Sequence, residues 1–224
     1  MSRARLVVAM VAAALGTLAV AAALYAPYWR PSAQRWPLQG IDVSHHQGAI
    51  DWSALPAQGV DFAWIKATEG GDHRDRLFEA NWRGARAAGI RRGAYHFFTL
   101  CRSGADQAAN FVAVVPREPG ALPPAVDLEF GGNCAARPSR RVLLRELTAF
   151  LRIVEAHSGR PAILYLTREF EAAYRVSEAV DRPLWLRRLL LEPRFGGRPW
   201  TLWQASSFHR LKGIQGDVDW NVLR

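Results

Sequence analysis

The chain has 224 residues, of which 50% are hydrophobic and 22% are charged, with 18 Gly and 13 Pro. This composition excludes an intrinsically disordered chain and a fibrous protein, and the absence of internal repeats argues against a solenoid or propeller. The formal net charge of +9 would attract acidic polymers, but no block of Lys or Arg occurs, so we expect no nucleic-acid partner.

The first element in chain order is a hydrophobic segment near the N-terminus. Residues 6–24 carry no charge, and as a helix they would span roughly 28 Å, close to the ~30 Å core of a bilayer. Arg3 and Arg5 precede this run, which is the charge pattern of a segment that inserts with its N-terminus in the cytoplasm. We therefore interpret 1–5 as a basic n-region and 6–24 as a transmembrane anchor or a signal segment.

Two interpretations of this segment are open. An anchor in the inner membrane agrees with its length, because interfacial residue types follow it. These residues are Tyr25, Tyr28, Trp29 and Arg30. A cleaved signal peptide agrees with the small residues 21–23, which resemble an A-x-A cleavage site. In both interpretations the rest of the chain is exported. An anchor would hold it at the periplasmic or extracytoplasmic face of the membrane, whereas a cleaved signal would let it be secreted.

After this segment, residues 25–37 contain three Pro and no apolar period, which predicts a linker. From 38 to 224, short apolar runs alternate with amphipathic stretches. The predicted strands are 39–44, 61–67, 91–97, 124–130, 161–166, 183–187, 200–204 and 217–222. The predicted helices are 75–88, 104–115, 139–157 and 168–179.

This alternation predicts a parallel sheet with crossover helices, and eight strands suggest a barrel. Residues 38–224 are fewer than the ~250 typical of a complete (β/α)₈ barrel, and the last three strands leave little room for helices. We therefore predict an α/β fold, an irregular, shortened TIM-like (β/α) barrel with some helices missing, as one domain over residues 38–224.

The residues predicted at the C-terminal strand ends are candidates for chemistry, because barrel enzymes place their sites there. They are Asp42, Glu69, Tyr95 with His96, Asp127 with Glu129, Tyr165, Trp185, Gln204 and Asp219. Asp127 and Glu129 lie in an otherwise apolar strand, and their two-residue offset puts both on one face about 6.7 Å apart at Cα. Like charges this close cannot both ionise easily, which favours the acid and carboxylate pair of glycoside hydrolysis.

Five segments carry a resemblance to a known family. GIDVSHHQGAIDW, FAWIKATEGG, GAYHFF, PPAVDLEFGGNC and GDVDWN closely resemble the glycoside hydrolase family 25 lysozymes, the N-acetylmuramidases of peptidoglycan. The resemblance covers about residues 38–224 in order and spacing. It implies a modified β/α barrel that cleaves the β-1,4 bond between N-acetylmuramic acid and N-acetylglucosamine.

The matching motifs also imply residue roles. Glu129 would be the general acid, Asp127 would assist beside the reacting sugar, and Asp42 and Asp219 would complete an acidic ring. In this family the substrate's own acetamido oxygen is thought to be the nucleophile, so Asp127 would steady the acetamido group. Two departures put contacts to the sugars in doubt. These are Ala205 in place of an aromatic residue and Trp220 in place of a smaller one.

The two cysteines, Cys101 and Cys134, follow the third and fourth predicted strands and are too few for a structural zinc site. In an exported protein we favour a disulfide, which the resemblance to exported members with the same pair supports, over two free buried thiols. A bridge would close a loop of about 34 residues, worth roughly 3.7 kcal/mol in the chain-entropy model.

Other residues suggest contacts rather than chemistry. Adjacent His45 and His46 point to opposite sides of a strand, which argues against a metal site and favours a hydrogen bond from one of them to an active-site acid. Trp185, with Tyr165, is the predicted platform for stacking against a sugar ring. His96 could line the cleft or belong to the core. We expect no metal and no cofactor.

Three classes of function agree with these observations: a muramidase acting as a monomer on peptidoglycan glycan strands, a non-catalytic glycan-binding module, and a hydrolase for another polysaccharide such as chitin. The intact Asp127 and Glu129 pair argues against the second class. We favour the muramidase.

Overall fold

A computed structural model describes residues 2–224, so Met1 of the predicted n-region lies outside the described residues. The strands are β1 Gln39–Val43, β2 Phe62–Glu69, β3 His73–Arg74, β4 Arg91–Phe97, β5 Ala125–Leu128, β6 Ile163–Leu166, β7 Leu184–Arg187, β8 Leu202–His209 and β9 Val218–Leu223. The helices are α1 Arg3–Tyr25, α2 Phe78–Ala87, α3 Gly104–Val114, α4 Arg140–Ser158, α5 Arg168–Tyr174 and α6 Val176–Ala179. Short 3₁₀ turns cover Ala26–Tyr28, His45–Gln47, Trp52–Ala54 and Pro56–Gln58.

Eight of the strands close into a barrel, which confirms the predicted architecture. The strand order is β1-β9-β8-β7-β6-β5-β4-β2, and β1 pairs again with β2. The expectation of a fully parallel sheet is wrong for β9, which runs antiparallel to both of its neighbours, β1 and β8. A parallel strand there would need a crossover connection of a dozen or more residues, which the short segment from His209 to Val218 cannot supply.

The helices cover only part of the barrel, as the sequence predicts. Helices α2 to α6 connect β2 through β7, whereas among the described residues no α-helix lies between β7 and β8 or between β8 and β9. The predicted helix 168–179 is two helices, because Arg175 adopts the left-handed conformation with φ 48° and ends α5.

The barrel interior is filled by a cluster separate from the larger outer core between strands and helices. Its buried members are Phe62, Trp64, Ala125, Ile163, Tyr165, Trp185 and Leu202. Facing these aromatic rings, Gly93 on β4 has no room for a side chain, because an added Cβ would lie 2.5 Å from Nε1 of Trp64. The large rings and the glycine together set the internal dimensions of the barrel.

Residues 25–37, predicted to be a linker, pack on the face of the barrel that lacks helices. The carbonyl of Pro27 accepts a hydrogen bond of 2.7 Å from Arg210 N at the end of β8. The guanidinium of Arg30 lies 5.1 Å from the ring centroid of Trp220, which is fully buried on the outer face of β9. Trp220 therefore contacts the linker and not the cleft, and the concern that its bulk would disturb the site is not supported.

Helix α1 is apolar and exposed, with a mean hydropathy of 2.4 over its most apolar window. Its length and composition would allow it to cross a membrane, although a signal sequence has the same properties.

The disulfide predicted between Cys101 and Cys134 is present, with a Cα–Cα distance of 6.3 Å. Asn133 reinforces the junction of the two loops, because its side-chain oxygen accepts a hydrogen bond of 3.0 Å from Leu100 N and its amide donates one of 2.9 Å to the carbonyl of Phe98. The bridge joins the loops after β4 and β5, next to the strand that carries Asp127.

We predict that replacing both cysteines with serine lowers the free energy of unfolding by roughly 3.7 kcal/mol, because the unfolded chain loses a crosslink between residues 33 apart. Denaturant unfolding of the oxidised protein and of the double variant measures this difference. Equal stability of the two would contradict it, and labelling of both cysteines by an alkylating reagent in the non-reduced exported protein would contradict the bridge itself.

We also predict that Gly93→Ala lowers the free energy of unfolding by about 1–3 kcal/mol, because the indole of Trp64 must move within a filled interior. Gly120→Ala is the matched control, since no atom lies within 4 Å of the Cβ it adds. Thermal unfolding of both variants gives the comparison, and an unaffected Gly93→Ala would show that the interior is less tightly filled than described.

Candidate active site

Four carboxyl groups meet at the C-terminal rim of the barrel. Asp42 lies near the end of β1, Asp127 lies on β5, and Glu129 follows β5 immediately. Asp219 lies near the start of β9, and it reaches the same rim because β9 is antiparallel, which pairs Asp219 with Asp42 in register. All four line one cleft, so the structure brings together the acids that the sequence predicts.

Asp42 is held by a buried network of hydrogen bonds. Its Oδ2 atom accepts from Asn221 Nδ2 at 2.7 Å and from Gln204 Nε2 at 3.0 Å. Tyr165 donates its hydroxyl to Gln204 Oε1 at 2.9 Å, and Trp185 Nε1 donates to Asn221 Oδ1 at 2.8 Å. Each amide therefore has a fixed orientation, and Gln204 and Tyr165 position Asp42 from the floor of the cleft.

The pKa values of all four acids are raised. Burial, followed by the charges of Glu129 and Asp42, raises the pKa of Asp127 well above its ordinary value. Burial raises the pKa of Glu129, although the positive charge of Arg187 opposes the rise. The sequence predicts that one carboxyl group of the Asp127 and Glu129 pair keeps a low pKa. This prediction is wrong for the protein without substrate, because burial raises the pKa of both groups.

Asp42 and Asp219 share a hydrogen bond and differ in their partners. Burial raises the pKa of Asp42, while bonds from Asn221 and Gln204 counteract part of the rise. Burial and the charge of Asp42 raise the pKa of Asp219 well above its ordinary value. The hydrogen bond between the two carboxyl groups lowers the pKa of Asp42 and raises that of Asp219, so it favours the proton on Asp219.

Two cations in the cleft were missed by the sequence analysis. Lys66 on β2 is buried and donates to Glu69 Oε2 at 2.7 Å, and Arg187 at the end of β7 lines the cleft beside the acids. Both lie on the interior face of their strands. The signal was available, because Lys66 is two residues from Trp64 and Arg187 is two residues from Trp185 on the same face.

The four acids lie between two lobes of an open groove. One lobe, with a volume of about 450 Å³, extends over β6, β7 and β8 and is lined by Tyr165 and Gln204, while Tyr95 on β4 lines both lobes. The other, of about 310 Å³, extends over β1, β2 and β4 and is lined by Lys66 and Glu69. A groove with the acids at its centre can hold a polymer on both sides of the bond that reacts.

Glu69 reaches the groove because of an irregularity in β2. The register between β2 and β4 shifts after Lys66, so that Lys66 pairs with Tyr95 and Glu69 with Phe97. Without the extra residue, Glu69 would point away from the barrel interior, since side chains alternate along a strand. The structure thus places Glu69 as predicted, for a reason that the sequence pattern did not contain.

Two predicted contact residues are not available to a ligand. His96 is fully buried on the outer face of β4, where its ring nitrogens lie 2.7 Å from Thr68 Oγ1 and 3.1 Å from Gln107 Oε1. Burial lowers its pKa to about 3. Trp185 lies below the acids and is 2% exposed, so it forms the floor of the cleft and offers no ring face for stacking. The prediction that His96 and Trp185 contact the substrate is therefore wrong.

The histidine pair at the start of the β1–β2 connection does not contact the four acids through hydrogen bonds. His45 Nδ1 lies 2.9 Å from Oδ2 of the buried Asp75, which also accepts a hydrogen bond of 2.8 Å from His45 N. His46 is exposed at the edge of the smaller lobe. Within residues 2–224, no group of three His, Cys, Asp or Glu side chains has the geometry to hold a metal ion.

An eight-stranded barrel with paired carboxylates in a groove at its C-terminal rim has the architecture of a barrel glycosidase. The chain belongs to the glycosyl hydrolases family 25, whose family model matches residues 41–214.

Relatives and solved structures share most of the barrel. The protein YegX of Escherichia coli K12 is 33% identical over 84% of this chain and 70% of its own length. Lysozyme M1 of Streptomyces globisporus is 34% identical over 82% of this chain and 67% of its own length. The structure of a family 25 glycosyl hydrolase from Bacillus anthracis superposes with a TM-score of 0.78 at 37% identity, covering 84% of this chain and 89% of that one.

We predict that Arg187→Gln raises the pKa of Glu129, because the variant loses the positive charge that favours the ionised carboxylate. NMR titration of carbon-labelled glutamate side chains measures this value directly. Arg188→Gln is the matched control, because the adjacent side chain does not line the cleft. A pKa of Glu129 that stays the same or falls in Arg187→Gln would contradict the assignment.

Proposed function

We propose that this protein is a peptidoglycan hydrolase that cleaves the β-1,4 bond between N-acetylmuramic acid and N-acetylglucosamine. The observation that carries the proposal is the pair of Asp127 and Glu129 at the centre of a two-lobed groove, in a member of a family whose relatives include lysozymes. The groove is open at both lobes, as the hydrolysis of a polymer within its chain requires.

Glu129 has the properties of the general acid. It is half-buried, and burial raises its pKa, so a larger fraction keeps its proton near neutral pH than for an ordinary glutamic acid. It also follows the last residue of β5 and extends one methylene further than Asp127. The proton of Glu129 can therefore reach a glycosidic oxygen that lies above the rim.

Asp127 has the properties of the group that receives the acetamido substituent. Its Oδ1 atom is buried and has no hydrogen-bond partner among residues 2–224. A buried polar atom without a partner is costly, and an amide N–H of the substrate would satisfy it. That bond would also favour the ionised form, so substrate binding lowers the pKa of Asp127 and leaves the proton of the pair on Glu129.

The reaction then proceeds in two steps. Glu129 donates its proton to the glycosidic oxygen as the bond from that oxygen to the anomeric carbon breaks, and the acetamido oxygen of the same sugar bonds to the anomeric carbon. Asp127 balances the positive charge that forms on the acetamido nitrogen. The Glu129 carboxylate next takes a proton from water, whose oxygen attacks the anomeric carbon and releases the acetamido group.

Asp42 and Asp219 support this chemistry without exchanging protons with the substrate. The hydrogen bonds from Asn221 and Gln204 stabilise negative charge on Asp42, which opposes the loss of a proton from Glu129 in the free enzyme and favours positive charge on the sugar. The hydrogen bond between Asp219 and Asp42 helps to keep the Asp42 carboxyl group in place.

The site acts outside the cytoplasm in this proposal. The disulfide agrees with an oxidising compartment, and the apolar helix α1 supplies the export signal. We propose that residues 6–24 remain as an inner-membrane anchor and that the barrel is a monomer on the periplasmic or extracytoplasmic face. A mature N-terminus near residue 24 would replace the anchor with a cleaved signal.

We predict that Glu129→Gln lowers activity on purified peptidoglycan by at least ~10²-fold, because the amide has no proton to donate. Asp127→Asn also lowers activity, since an amide cannot balance positive charge. A dinitrophenyl glycoside, whose leaving group needs no protonation, should partly restore turnover in Glu129→Gln and not in Asp127→Asn. Release of reducing sugar and of dinitrophenolate measures the two reactions.

Glu79→Gln is the control for these variants, because it makes the same change on an exposed face of α2. Near-normal activity of Glu129→Gln, or equal rescue of both variants, would contradict the assigned roles. An inactive wild-type protein that still binds peptidoglycan would support a glycan-binding module instead, and cleavage of chitin in preference to peptidoglycan would change the substrate.

A further inference from the structure

A second charged surface lies beside the groove, and nothing in the proposed reaction uses it. It is a depression of about 320 Å³ formed by the residues that follow β6 and β7. Four guanidinium groups and one carboxyl group line it, and we call it the arginine shelf. Its charged residues are Arg168, Glu169, Arg187, Arg188 and Arg194.

The positive charge of the arginine shelf is only partly balanced by the protein, because Arg187 alone of its arginines also acts on the acids of the groove. None of the four arginines forms a salt bridge with a carboxylate of residues 2–224, and Glu169 is the sole acid in its lining. The Arg188 side chain donates to the carbonyl of Glu192 at 2.9 Å, whereas the side chains of Arg168 and Arg194 are exposed and form no hydrogen bond within residues 2–224. Unpaired guanidinium groups gathered around one depression form a site for carboxylates, which they bind through paired N–H donors.

The arginine shelf and the groove are continuous, because Arg187 lines both. Strand β6 lies between β5, which positions Glu129, and β7, which positions Arg187. Two strand spacings separate these residues by about 10 Å at the rim. The acidic groove therefore changes to a basic surface within a short distance of the group that acts on the glycosidic bond.

We propose that the arginine shelf binds the carboxylates of the peptide branch of the substrate, and this inference rests on the proposed function. The negative charge of peptidoglycan lies mainly on the carboxylates of the peptides attached to N-acetylmuramic acid. The sugar rings themselves are uncharged. An extended peptide of three residues spans about 10 Å, which is the separation of Glu129 from Arg187 at the near edge of the arginine shelf. With the sugar ring beside Glu129, the branch carboxylates reach the guanidinium groups. The enzyme thus selects peptide-bearing glycan over bare glycan.

The loop after β7 explains why this surface exists here. Residues 188–201 connect β7 to β8 without an α-helix, in the part of the barrel where a crossover helix is missing. Leu190 adopts a left-handed conformation with φ 65°, and its N–H donates to the carbonyl of Ala205 at 2.8 Å. The loop is thereby held against β8, and Arg194 is brought to the depression opposite Arg168.

The test compares three substrates made from one preparation of peptidoglycan: intact sacculi, sacculi whose peptide carboxyls are amidated, and glycan chains freed of peptide by an amidase. The variant Arg168→Gln/Arg194→Gln removes two shelf charges and leaves the groove unchanged. The control Arg91→Gln/Arg152→Gln removes two exposed charges, one at the start of β4 on the opposite rim and one on α4.

On intact sacculi we expect the shelf variant to lower kcat/KM by roughly 3- to 10-fold, the range of two partly screened charge pairs, and the control to match the wild type. On amidated sacculi, and on peptide-free glycan whose lactyl carboxylates exposed by the amidase have also been amidated, the kcat/KM of the wild type should fall to that of the shelf variant. An equal loss on all three substrates, or no loss on intact sacculi, would overturn the inference.

Binding of intact sacculi by Glu129→Gln, with and without the two shelf substitutions, separates this inference from the proposed function. Weaker binding of the combined variant at low salt, with the difference reduced at high salt, supports the arginine shelf even though no turnover occurs. Equal binding overturns it while leaving the muramidase intact. If the wild type cleaves none of the three substrates, the proposed function fails, and the assignment of the peptide branch fails with it.

Discussion

The crowding of four carboxyl groups within one small cleft is the constraint on which the rest of the structure depends. Burial is the main reason that the pKa values of Asp42, Asp127, Glu129 and Asp219 are all raised, and the cations Lys66 and Arg187 offset only part of the rise. Such a group of acids destabilises the folded state, and only a rigid frame can keep it together. The closed barrel supplies that frame, because three of the acids lie on its strands and Glu129 follows β5 immediately.

The direction of β9 and the loss of outer helices are linked. Because β9 is antiparallel, Asp219 reaches the rim beside Asp42, and β9 joins β8 by a short connection without a helix. The face left uncovered would expose apolar residues, and residues 25–37 cover it in place of a helix, with Arg30 over Trp220. The segment between the apolar helix and the barrel is therefore part of the fold and not a free spacer.

Much of the fold could be predicted from the sequence, since strand and helix periodicity gave eight strands close to their observed bounds. The direction of β9 could not be predicted, because the pattern of apolar residues in a strand does not show whether it runs parallel or antiparallel to its neighbours. The position of Glu69 at a strand end predicts that it reaches the groove. The irregularity after Lys66, which turns the Glu69 side chain to the interior, does not follow from the sequence pattern. Residues 168–179 form two helices because Arg175 adopts the left-handed conformation. An arginine in the sequence does not predict that conformation.

Alternation along strands accounts for which predicted residues face the groove, whereas residue type alone does not. Asp127 and Glu129 share a face because their offset is two, and the same rule places His96 opposite Tyr95 and thus outside the cleft. Trp185 was chosen as a sugar platform because it is aromatic, yet it lies at the floor of a filled barrel. The charges of Lys66 and Arg187 oppose the rise of the Glu129 pKa, and alternation from Trp64 and Trp185 would place both cations on the interior face.

The central claim is that this acid cluster cleaves the glycan on the reducing side of N-acetylmuramic acid. Mass spectrometry of the soluble products of peptidoglycan digestion, after borohydride reduction, tests it most directly, because only the newly formed reducing end is reduced. The account predicts fragments that end in reduced N-acetylmuramic acid. Fragments that end in reduced N-acetylglucosamine, or the absence of soluble glycan products, would contradict it.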